Sequence, residues 1–168
     1  MTKKTVRQCV TVGDFQIKEL QDLIEKYHLK VKILNDKQEI PASFWGDPEA
    51  GLIGKTIFVK KITPLHSFFH EFSHLICMPE YRRLNLIKDA KSNDDEESAV
   101  CYLQILLANC LLGLNTMTFM RDMDDWGYSF RLGSTKEWFK NDANDSRKWL
   151  QKENILDERG NITWSLRV

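Results

Sequence analysis

The sequence predicts a single α+β domain, mostly helical, with a small sheet placed ahead of a helix that carries His70-Glu71-x-x-His74. Three observations lead there. Several segments repeat apolar residues at helical spacing, and only two short segments show the alternation of a strand. A length of 168 residues suits one domain with one core. No repeat, low-complexity tract or linker divides the chain, so the expected domain covers residues 1–168. A composition of 42% hydrophobic and 29% charged residues excludes disorder. Twenty-four basic and 24 acidic side chains cancel, so no global field draws the protein to nucleic acid or a membrane surface.

Taken in order, residues 1–12 are positively charged but precede no apolar stretch, which predicts no signal peptide. Apolar residues at 17, 20, 23, 24 and 27 predict an amphipathic helix over 15–29. Residues 29–33 then alternate as a half-buried strand, and 54–60 read as a second strand of mixed exposure. Between them, Pro41, Pro48 and two glycines mark a loop or irregular hairpin. Thr63 as cap and Pro64 in the first turn predict a helix from about 64 to Met78, stopped by Pro79. Residues 80–93 have little periodicity. Asp94-Asp95-Glu96-Glu97 is an acidic start, favoured by the helix dipole, to a long apolar helix that Gly113 would end. Its apolar run, 99–114, is short for a bilayer and broken by Gln104 and Asn109, so it reads as a core helix and no membrane is expected. A helix over about 116–125 follows. Ser134 or Thr135 then caps a final helix to about Lys152 with Trp138, Phe139 and Trp149 facing the core, and 160–168 reads as a turn and one short strand. The four cysteines, Cys9, Cys77, Cys101 and Cys110, have no two-residue pairing, and three lie in apolar helical stretches as small hydrophobes. They point to a reducing, cytoplasmic setting.

His70 and His74 stand four apart, so on a helix both imidazoles project from one face and can meet one zinc ion at about 2.0–2.1 Å. Glu71, beside the first of them, is placed to act as general base toward a zinc-bound water. A catalytic zinc site needs a third protein ligand and one open position. The chain has four histidines, His28, His66, His70 and His74, and none follows the motif, which excludes classes with a downstream histidine ligand. A carboxylate is left, and Glu96 and Glu97 are the candidates, with Asp94 and Asp95 behind them. His66 extends the motif face, but the rise from it to His74 is about 12 Å, too far for both to share an ion with His70. It is read as a residue that lines the cleft or bonds nearby backbone. His28 is read as a cation at a helix C-terminus.

The pairing of His70-Glu71-x-x-His74 with Glu96-x-x-Ala99-x-x-Tyr102-x-x-x-Leu106-Leu107 resembles the gluzincin arrangement, in which a second helix donates a glutamate. It is similar in particular to the ImmA/IrrE-type metallopeptidases, whose second motif reads Glu-x-x-Ala-Asn/Asp-x-Phe-Ala-x-x-Leu-Leu. The resemblance covers about residues 52–112 and implies a zincin-like fold, one zinc per chain, and Glu96 as third ligand. Val100 stands where that family has Asn or Asp, and Leu103 where it has Ala. The implied activity is hydrolysis of a peptide or protein substrate, with cleavage of a repressor as one regulatory role.

Hydrolysis of this kind also needs a donor for the oxyanion that forms on the substrate carbonyl. Tyr128 and Arg131, in the glycine-flanked segment after Trp126, are the candidates in kind for such cleft residues. The strand over 56–59 is expected to form the cleft edge and to pair with an extended substrate. A catalytically silent zinc-binding regulatory or interaction module of the same fold is the alternative reading, and Glu71→Gln separates the two.

Overall fold

The computed structural model describes residues 8–168, so the first seven residues, and with them most of the basic N-terminal stretch, lie outside the described residues. The described chain forms one α+β domain of seven α-helices and a three-stranded sheet. The order is α1 (Ile17–Glu25), β1 (Lys30–Leu34), β2 (Gly51–Ile53), β3 (Thr56–Lys60), α2 (Leu65–Cys77), α3 (Glu80–Leu84), α4 (Asp94–Ala108), α5 (Thr116–Trp126), α6 (Thr135–Asn141) and α7 (Asn144–Lys152). Among the described residues, no helix is long and apolar enough to cross a membrane. Among the described residues none of the four cysteines forms a disulfide.

β3 runs through the middle of the sheet, parallel to β1 from Lys30↔Thr56 to Leu34↔Lys60 and antiparallel to β2 through Leu52↔Ile57. This overturns the expectation that residues 56–59 form a free cleft edge, because both sides of β3 are already paired. The outer side of β2 is also occupied. Gly54 N donates to Leu86 O at 2.9 Å and Lys88 N to Leu52 O at 3.0 Å, while Ser43 bridges Gly51. Gly51 is needed there, since a Cβ would meet Pro41 O at 2.0 Å. That close approach fixes the loop bearing Phe44 and Trp45 against the sheet.

Leu52, Ile57 and Val59 are fully buried, and α2 packs across them. The inner side chains of α2 (Leu65, Phe68, Phe69, Phe72, Leu75 and Ile76) fill the centre of the core, because the helix has sheet on one side and α4 and α5 on the others. Its start differs in detail from the expectation. Pro64 takes the N-cap place, and the Thr63 hydroxyl accepts Lys60 N–H at 2.8 Å, closing the β3–α2 turn instead of capping the helix. At the other end Met78 turns extended before Pro79, as the sequence predicts.

α4 lies between α2 and α7 and is capped by Asn93, whose side chain accepts Glu96 N–H at 2.9 Å. It ends at Ala108, earlier than Gly113. The expected long final helix is two helices, broken at Asp142, whose φ/ψ of −139°/8° leaves the helical region. Trp138 is buried as expected, and Phe139 and Trp149 are partly buried. The tail makes an isolated bridge, Leu156 with Ile162, where a strand was expected.

Candidate metal centre

α2 and α4 cross so that the middle of the first faces the opening turn of the second. One helical turn separates His70 from His74, and their Nε2 atoms approach to 3.1 Å. Glu97 closes the group, with Oε1 2.9 Å from His70 Nε2 and Oε2 3.3 Å from His74 Nε2. These three are the residues among those described whose donor atoms converge in this way. Bonds of about 2.0–2.1 Å at tetrahedral angles place neighbouring donors about 3.3 Å apart. The observed separations therefore fit a single small cation, and two imidazoles with one carboxylate suit zinc among divalent first-row ions.

The carboxylate expected to be the third ligand is turned away. Glu96 is 3% exposed and bonded to the guanidinium groups of Arg82 and Arg167, the latter at 3.3 Å. Two adjacent helix positions differ by about 100° in direction, so only one of the pair can face α2's histidines. This clamp holds Glu96 away from the histidines. Asp94 and Asp95 are exposed on the same turn.

Surrounding groups orient the donors. His70 Nδ1 bonds Gln104 Oε1 at 2.7 Å, and the Gln104 amide nitrogen reaches back to His66 O at 3.4 Å. That network points the Gln104 carbonyl at His70, keeps a proton on Nδ1 and leaves Nε2 to face the centre. Ser92 Oγ donates to Glu97 Oε2 at 2.6 Å. The Cys101 thiol lies buried on the same side and stays protonated, burial pushing its pKa up. Glu97, Cys101 and Gln104 follow i, i+4, i+7 spacing and so share a helix face. Gln104 was visible in the sequence only as a polar break in an apolar run, and its position seven after Glu97 is the signal that identifies it.

Burial opposes the charge on Glu97, yet the hydrogen bond from His70 and the neighbouring imidazoles hold its pKa at about 2. Burial, assisted by His70, lowers His74 to about 3, so it is neutral. Burial also works against charge on His70, but its hydrogen bond to the Glu97 carboxylate more than offsets it and its pKa lies well above the ordinary value. Glu71 lines the same space, and burial raises its pKa to about 7, with His70 opposing and the Glu97 and Glu49 carboxylates assisting.

Two depressions meet at His70, Glu71 and Glu97 and form one cleft. The first, of about 320 Å³, is walled by Trp45, Glu49, Trp126 and Tyr128. The second, of about 250 Å³, is walled by Phe44, Trp45 and residues 88–92. Gly127 (φ 110°) ends α5 in the left-handed conformation and turns Tyr128 back over His70, with ring centroids 5.6 Å apart. Tyr128 therefore lines the cleft, and burial raises its hydroxyl pKa, keeping the proton in place. Arg131 does not line it: its side chain is exposed and pairs with Asp142 at 2.7 Å, on the α6 side of the molecule. His66 lies below the cleft floor, 1% exposed, with Nδ1 3.4 Å from the Tyr128 hydroxyl. Burial, assisted by His70, takes its pKa to about 3.

No protein-family model, curated protein or solved structure matches this chain.

Proposed function

We propose that this chain is a zincin-type, zinc-dependent hydrolase acting on peptide bonds, with His70, His74 and Glu97 as metal ligands. The observation that carries the reading is the convergence of those three donors beside Glu71, with Gln104 and Ser92 holding two of them in orientation. Counted from Glu97, the residues that carry the ImmA/IrrE-type resemblance, Ala99, Tyr102 and Leu106-Leu107, fall one place out of register, with Val100 in the alanine place and Cys101 in the Asn/Asp place.

When bound, a divalent ion supplies Lewis acidity toward a carbonyl and acidifies nearby water. Glu71 accepts a proton from the attacking water as its oxygen bonds the carbonyl carbon. It then gives that proton to the departing amine nitrogen as the C–N bond breaks. The Tyr128 ring walls the cleft beside His70, with its hydroxyl 3.4 Å from the buried His66 Nδ1. The cleft, open on both sides of Glu71, suits a peptide or protein substrate passing through it.

Metal content of the purified protein tests the reading. About one zinc per chain is expected, lost or much weakened in His74→Ala and Glu97→Ala. Glu71→Gln should keep the zinc and lose about 10²–10⁴-fold of peptide cleavage, the range of general acid–base catalysis. A wild-type protein that takes up no metal after zinc is added back would end the proposal. Retained zinc with undiminished function in Glu71→Gln would replace it with a silent binding module.

A further inference from the structure

The half of the cleft beyond Glu71 contains a group that the hydrolytic reading does not use. Glu49 is 6% exposed and lines the 320 Å³ cavity together with Trp45, Trp126 and Tyr128. Among the described residues no lysine or arginine forms an ion pair with its carboxylate, and burial raises its pKa, with the Trp126 side chain and the His70 charge opposing that rise. Other deeply buried charges are matched differently. Glu96 takes two guanidinium groups, Lys60 meets Asp47 at 2.5 Å, and Arg83 donates to the carbonyl oxygens of Leu75, Met78 and Arg167. A carboxylate held in a largely buried cavity with no lysine or arginine beside it is costly to charge, and a cation seated against it would favour the charged form.

We propose that this cavity recognises a lysine or arginine side chain of the substrate, with Glu49 as its counter-ion and the aromatic walls as its sides. Three carboxylates, Glu49, Glu71 and Glu97, face the cavity. Glu97 belongs to the metal and Glu71 to the moving proton, so Glu49 is the charge left over. Indole and phenol faces attract ammonium and guanidinium groups, Trp most strongly. The volume sits at the low end of ligand cavities, about 300–1,000 Å³, and suits one long side chain. The wall of the opposite half carries Lys88 and Lys91 against a single Asp89, whereas no lysine or arginine lines the Glu49 end. The proposal takes from the hydrolase reading only that the occupant is part of a substrate.

Binding, not cleavage, provides the test. Zinc-loaded protein is titrated with Nα-acetyl-arginine amide and with the neutral, nearly isosteric Nα-acetyl-citrulline amide, followed by tryptophan fluorescence. The arginine compound should bind about tenfold tighter, the scale of one charge-assisted hydrogen bond. Glu49→Gln should erase that preference, and Trp126→Phe, which keeps the carboxylate, should weaken it. Equal binding of the two compounds, no saturable binding of either, or a preference that survives Glu49→Gln overturns the proposal. Arginine binding in a protein that cleaves nothing upholds the pocket and removes the hydrolase reading. Cleavage of peptides without any basic-residue preference does the reverse.

Discussion

Replacing Gln104 by leucine removes the carbonyl that holds His70 Nδ1–H at 2.7 Å while keeping a side chain of similar size in a fully buried place. The second partner lost, His66 O at 3.4 Å, is long and contributes little. Without the acceptor, the His70 ring can rotate and carry its proton on either nitrogen, so only part of the population presents a bare Nε2 to the metal. Outer-shell partners of metal-bound histidines contribute about 10–100-fold to affinity, or about 1.4–2.8 kcal/mol at 1.4 kcal/mol per tenfold. Gln104→Leu should therefore weaken zinc by that factor. Gln104→Glu keeps an acceptor and adds negative charge, so it should bind zinc as tightly as wild type or more so. Competition against a fluorescent zinc chelator at pH 7.5 measures both, with metal-free thermal unfolding as the control for packing. Wild-type affinity in Gln104→Leu, or equal losses in the two variants, would refute the claim that the hydrogen bond positions the ligand.

Two further outcomes follow from charges at the same centre. In the metal-free protein His70 donates from Nδ1 to Gln104 and from Nε2 to Glu97, which makes it an imidazolium, whereas His74 is neutral. A cation at Nε2 must displace one proton, so log K for zinc should rise by about one per pH unit below the raised His70 pKa and flatten above it. Calorimetry in two buffers of unequal ionisation enthalpy should count about one proton released near neutral pH, and none released would contradict the charge assignment. Glu96→Gln leaves two guanidinium groups without their buried counter-charge, one of them still paired with Glu153 at 2.8 Å. Because both are partly solvated, the loss should be about 3 kcal/mol of stability, the low end for breaking a buried pair, with zinc stoichiometry unchanged; lost zinc at unchanged stability would reverse the roles of Glu96 and Glu97.

α2 was legible because its signals are local: a turn and proline before it, an extended residue and proline after it, and two histidines at a spacing that needs only a helix to bring them together. The choice between Glu96 and Glu97 was not legible, and the reason lies in α4 itself. Ala99, Val100, Cys101, Leu103, Gln104, Ile105, Leu107 and Ala108 are all buried, so the helix is covered nearly all round and its apolar pattern has no single face. With no face, the sequence cannot say how the helix is rotated. Arg131 misled for a related reason: its partner, Asp142, sits at the break between α6 and α7, which no glycine or proline announces. The cleft walls come from loops, Phe44 to Glu49 and Lys88 to Ser92, whose placement depends on contacts such as Gly51 against Pro41 that carry no periodic signal.

The rotation of α4 is set by a residue far along the chain. Arg167 donates from its backbone to Ile76 O at 3.0 Å and from its side chain to Cys77 O and Glu96, each at 3.3 Å. It thus holds the end of the helix that carries the histidines and the start of the helix that carries the glutamates in one grip. Arg82, from the short helix between them, holds Glu96 from the other side. Turning α4 by one position would aim Glu96 at the histidines, but it would pull a buried carboxylate from two guanidinium groups and expose apolar residues on the opposite side. The neighbour that does not touch the metal site therefore decides which carboxylate does, and the C-terminal segment belongs to the architecture of the site even though no part of it lines the cleft.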